Sequence, residues 1–203
     1  MLSYISLYIF GWGVLKKLLD NTSFFRTNEK REKIMANFIS MAHALICNIT
    51  FLSWLLGIKK EETFSVSISY FLYDLYYQVK FKDKLMILHH IISIYTLYNA
   101  QKEHPDHEKV RWGLHFLEFS NIPVHPSYLF YSTQIKNKSL KVILEYVLIH
   151  LEFVFFGLFR CIFPSFLFPF KDPVLYVLAL LTQLGGIVWT YNLYKQMKQI
   201  RNM

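Results

Sequence analysis

Charge is scarce in this chain: Lys, Arg, Asp and Glu together make up 18% of its 203 residues. A soluble domain carries about 25% charged residues, so a fully solvated globule is a poor fit. Cysteine is nearly absent. Cys47 and Cys161 are the two in the sequence, and both fall inside apolar runs, which excludes a disulfide-stapled fold. Glycine is also sparse, at 7 residues, and no Walker loop, G-x-S-x-G, H-E-x-x-H or C-x-x-C occurs. The familiar nucleotide, hydrolase, zinc-protease and redox signatures are therefore missing.

What is abundant is apolar: hydrophobic residues make up 54% and aromatics 18%. Apolar runs recur at about 2–19, 35–57, 63–80, 85–101, 111–132, 140–164 and 173–194. Runs of roughly 17–25 residues are long enough to cross a hydrocarbon core of ~30 Å. The expected fold class is thus all-α, a polytopic membrane protein with about seven transmembrane helices. The opening run lacks a basic n-region and a small-residue cleavage site, and reads as a retained span rather than a signal peptide. The tail "QMKQIRNM" ends in no dilysine or KDEL-type retrieval signal.

The loops give an orientation. Segment 16–33 carries six basic residues against three acids, 80–84 three against one, and 136–141 three against none. The tail adds Lys195, Lys198 and Arg201. The alternate loops at 59–62, 102–111 and 171–172 balance. The positive-inside rule then places the first group and the C-terminus in the cytosol. The net charge of +8 follows from topology and attraction to anionic lipid, with no nucleic-acid partner implied. The sequons at Asn21, Asn48 and Asn137 fall in the cytosol or the membrane and are expected to carry no glycan.

Ionisable groups at membrane depth are costly and mark function or a specific pairing. Those inside the runs are His43, Asp74, His89, His90, His115, Glu118, Glu145, His150, Glu152 and Arg160, with His125 lower in the fifth run. Asp74 lies six residues before Lys80, and His89 and His90 lie five and six after Lys84. At ~1.5 Å per residue all three sit roughly 7–9 Å from the same membrane face, and His43 enters at a similar depth. Neighbours on a helix differ by about 100°, so His89 and His90 take different jobs. One serves as base or nucleophile; the other contacts a helix or a carboxylate. An Asp beside a His raises its basicity and fixes its tautomer.

Blander readings stand beside these. His43, His115 and His150, taken singly, read as interhelical hydrogen-bond donors. Glu118 and Arg160 make a natural ion pair, and Glu145 pairs with Lys141 at i−4. "HPDH" at 104–107 reads as a solvated loop rather than a metal site. Tyr70, Tyr73, Tyr76 and Tyr77 read as an interfacial aromatic band, and Gly185-Gly186 as close helix packing. No metal site is expected.

In sequence order, "FISMAHALICN", "SISYFLYDLYY", "KDKLMILHHIISIY", "HFLEFSNIPVHPSYLF", "FFGLFRCIF" and "VWTYNLYKQMK" make the chain resemble the TLC domain family, which includes the ceramide synthases. The likeness covers about 33–198, between an N-terminal span and basic loop at 1–32 and a tail at 199–203. It implies six spans in a TLC-type helical barrel around a lipid-sized cavity, in endoplasmic reticulum or Golgi membranes. The chain departs from the synthase motif at His115-Phe-Leu-Glu118, where the synthases carry His-Asp and a further Asp.

Three functions follow as expectations. The first is lipid homeostasis, of sphingolipid or phospholipid, through a cavity lined by His43, Asp74, His89 and His90, with Glu118, Arg160 and His115 as further polar residues. The second is acyl-CoA-dependent N-acylation of a sphingoid base, with His89 or His90 as base or acyl acceptor and Asp74 as its orienter. The third is a cargo receptor or translocation accessory with membrane-protein partners. No cofactor is implied beyond acyl-CoA as co-substrate, the partners are membrane lipids, and the tail-shaped cavity is expected to reach His89 and His90.

Overall fold

The computed structural model describes residues 2–21, 31–58, 63–100, 104–132 and 138–201. Every described regular element is helical: α1 Leu2–Asp20, α2 Arg31–Leu55, α3 Thr63–Phe81, α4 Lys84–Asn99, α5 His107–Ser120, α6 Val124–Ser132, α7 Lys138–Phe156 and α8 Pro173–Arg201. A π-helical turn, Gly157–Ile162, and a 3₁₀ turn, Phe163–Leu167, continue α7. The chain divides into two compact units, Met1–Arg111 and Trp112–Met203, the division falling within α5.

Among the described residues, three stretches are long and apolar enough to cross a membrane: Arg31–Leu55, Ser139–Leu167 and Pro173–Lys198. Their outward surfaces suit lipid rather than water. Leu140, Val142, Ile143, Val147, Leu151 and Val154 are all exposed along α7, a continuous apolar face that in water would demand a partner.

In the first unit α1 packs on α2 and α3, and α3 packs on α2 and α4. The α3–α4 corner has a legible local cause. Lys82 takes a positive φ of 58°, and Asp83 caps α4 by accepting from Met86 N at 3.1 Å. So tight a turn lays the two helices antiparallel, and residues equidistant from it meet. Asp74 and His90 each lie eight residues from Lys82.

In the second unit α7 packs against α6 and α8, and the π turn against α8. Asp172 opens α8 by accepting from Val174 N (2.7 Å) and Leu175 N (3.2 Å), with Pro173 at the first helical position. The π turn has a cause in Pro164. A proline four residues after Arg160 supplies no N–H to the Arg160 carbonyl and crowds it.

Three sequence expectations need correction. The fifth apolar run, 111–132, is not one helix: α5 stops at Ser120 and α6 begins at Val124. Pro123 restricts the residue before it and cannot continue the hydrogen-bond ladder. The tyrosine band is half core, since Tyr70 and Tyr77 are buried while Tyr76 is exposed. The 104–107 segment is no solvated loop either. Asp106 is 0% exposed, and His107 Nδ1 donates to Ala100 O at 2.7 Å. The Arg111 guanidinium donates to His107 Nε2 at 2.5 Å and lies over the Trp54 ring at 4.0 Å.

Candidate functional site

Two buried polar clusters lie within the first unit. In the first, His90 Nε2 donates to Asp74 Oδ2 at 2.7 Å, and Gln78 Nε2 donates to the same oxygen at 2.7 Å. His90 is 1% and Asp74 4% exposed. The carboxylate accepts, so the hydrogen stands on Nε2 of the ring. Among the described residues, His90 Nδ1 is buried with no hydrogen-bond partner. A ring bonded to the carboxylate through Nε2 points Nδ1 away from it, the orientation a general base requires.

His89 does not share this role. It is exposed on α4, touching Phe71 edge-on at 6.2 Å and His90 at 5.5 Å. The helical offset of neighbouring residues sends one ring inward and the other out.

The second cluster centres on His43, whose Nε2 lies 3.1 Å from both Ser67 Oγ and Cys47 Sγ, these two also being 3.1 Å apart. His43 stacks on Tyr70 at 4.0 Å and 12°. Trp12 of α1 meets His43 edge-on at 6.2 Å and donates to Ser69 Oγ at 3.2 Å. Tyr70 and Phe71 separate the clusters, Phe71 lying 5.5 Å from His43 and 5.2 Å from His90. These aromatics fill the space beside the dyad.

Trp12, Cys47, Ser67, Ser69 and Gln78 are participants that the sequence reading did not single out as site residues. Only Gln78 had a usable signal, since it follows Asp74 at i+4. The others are neutral residues that apolar patterning does not flag.

The remaining polar residues belong to the second unit. Arg160 Nε donates to Ser120 Oγ at 2.7 Å, and its Nη2 to Asn121 Oδ1 at 2.6 Å. Asn121 Nδ2 in turn reaches Glu118 Oε2 at 3.4 Å. Glu118 and Arg160 thus attract one another as the expected pair, with Asn121 bridging them by hydrogen bonds. The Arg160 guanidinium also lies over Phe156 at 4.3 Å. His115 sits among Trp112, Phe116 and Phe119 at 5.6–6.4 Å, a packing role. Lys141 and Glu145 pair at 3.7 Å as their spacing suggests.

No group of three or more His, Cys, Asp or Glu that could hold a metal occurs among the described residues. Compared with protein-family models, curated proteins and solved structures, the chain matches none of them.

Proposed function

We propose that this chain is a multi-pass membrane protein of the TLC type that acts on membrane lipid, with Asp74 and His90 as its working pair. The supporting observation is the buried 2.7 Å carboxylate–imidazole contact whose second ring nitrogen has no partner. Burying an imidazole nitrogen without a hydrogen bond costs about 1–3 kcal/mol, and here that cost falls on the ring whose other nitrogen is held by a carboxylate. On this reading the six spans after the first form the lipid-enclosing barrel, in endoplasmic reticulum or Golgi membranes, with a cytosolic C-terminus.

The test compares membranes from cells producing equal amounts of wild type and Asp74→Asn. Wild type is expected to shift the sphingolipid or phospholipid profile, and the variant to leave it at the level of untransfected cells. Equal shifts from both would sink the proposal.

A second reading, N-acylation of a sphingoid base from acyl-CoA, is favoured by the same unpartnered Nδ1. As the amine attacks the thioester carbonyl, the N–C bond forms and the C–S bond breaks. Nδ1 takes the amine proton, Asp74 stabilises the resulting imidazolium through Nε2–H, and the proton passes on to the departing thiolate. Purified protein in phospholipid vesicles, given acyl-CoA and sphinganine, would then release thiol and form dihydroceramide. Its absence with intact helicity removes this reading.

A further inference from the structure

A second site lies between α7 and α8, built from residues that the reading above does not use. Glu152, Trp189, Asn192, Leu193 and Gln196 line an open cleft of about 260 Å³. That is below the roughly 300–1,000 Å³ of sites that enclose a drug-sized ligand, so it suits a headgroup rather than a whole lipid. Both flanking helices are long and apolar enough to span a membrane. Leu184, Ile187 and Val188 of α8 are exposed, an apolar surface on which acyl chains can lie.

The chemistry of the cleft is one-sided. Glu152 is half-buried, and among the described residues no Lys or Arg pairs with it. Its described hydrogen-bond partner is the neutral Ser127 hydroxyl, which also reaches Pro123 O at 2.9 Å. A carboxylate at membrane depth with no cation is costly. Asn192 and Gln196 add two amide oxygens that can accept N–H bonds. Trp189 supplies an aromatic face, itself stacked on Phe156 at 5.7 Å and 25°, where a cation is attracted. Three acceptors match the three N–H groups of a primary ammonium, whereas a quaternary ammonium has none to offer.

We infer that this cleft binds the primary ammonium of an amine-headed membrane lipid, with Glu152 as its counter-charge. Two sources share that chemistry, an ethanolamine phospholipid and a free long-chain base. The full-length protein is placed in nanodiscs containing equimolar phosphatidylethanolamine, phosphatidylcholine and phosphatidylglycerol, with sphinganine added in a second arm. Lipids retained after gentle extraction are counted by native mass spectrometry.

Retention of phosphatidylethanolamine about fivefold over phosphatidylcholine is expected if the phospholipid is the ligand. Retention of sphinganine alone points to the free base. Glu152→Gln and Trp189→Leu should each bring the preference within twofold. If either variant fails to fold, the wild-type comparison still decides, because phosphatidylethanolamine and phosphatidylcholine differ by three N-methyl groups. Equal retention of all headgroups, or a preference that survives both substitutions, would overturn the inference.

Discussion

Asp74 accepts from two donors at once, so removing it strands both. Asp74→Ala leaves His90 Nε2 and Gln78 Nε2 without an acceptor in a buried site, which costs about 3 kcal/mol. Asp74→Asn keeps an oxygen and costs about 1–2 kcal/mol. The order of the two denaturant midpoints checks this. Trp12→Phe removes only the donor to Ser69, and an unfolding shift equivalent to about 1 kcal/mol is expected. Asp20, at the end of α1, gives a pH-dependent case. Partial burial works to raise its carboxyl, but hydrogen bonds from Arg31 and Lys16 outweigh this and hold it below the ordinary 3.8. A lowered folded value contributes stability that is complete above 3.8 and is lost as pH falls through the folded value. An acid titration of helicity should therefore show an added loss below about pH 4, and Asp20→Asn should remove it. At this scale charge was readable and neutrality was not. Depth alone groups Asp74 with His89, His90 and His43 without saying which ring meets the carboxylate, whereas Cys47, Ser67 and Trp12 carry no pattern to betray them.

At the scale of elements, the sharpest case is the crossing of α8 and the π turn. A Cβ on Gly186 would lie 2.8 Å from Arg160 Cβ and 3.2 Å from the Arg160 carbonyl oxygen, whereas one on Gly185 would meet nothing within 4 Å. Gly186→Ala is expected to cost about 1–3 kcal/mol through overpacking. Gly185→Ala should be neutral or stabilising by about 0.5–1 kcal/mol, as expected for Gly replaced in a helix interior. Paired unfolding curves separate the two, and equal effects would contradict the close approach. The Gly-Gly pair was legible as a packing signal, but only the structure assigns it to the second glycine. Gln183 Nε2 and Ser165 Oγ both donate to Cys161 O, at 3.0 and 2.8 Å, and so satisfy a carbonyl at the end of the π turn. No sequence periodicity marks such a turn; Pro164 is its one visible cause.

At the scale of the whole molecule, the hydrophobic runs foretold an all-helical chain, and the helices fall close to where the runs do. The fifth run misled because apolar composition continues through Asn121–Pro123 while the backbone cannot. Among the described residues, length and apolarity single out three helical stretches able to cross a membrane. The shorter α4, of 16 residues, and α3, with its serines and tyrosines, are helices whose character depends on what they pack against. The most direct test of the central claim uses the histidine pair as its own control. His89→Gln and His90→Gln are produced at matched levels and the membrane lipid profile is measured by mass spectrometry. The exposed ring and the buried one are neighbours in sequence but not in role. Loss of the lipid shift in His90→Gln with its retention in His89→Gln is the predicted result; loss in His89→Gln alone, or in neither, would contradict the account.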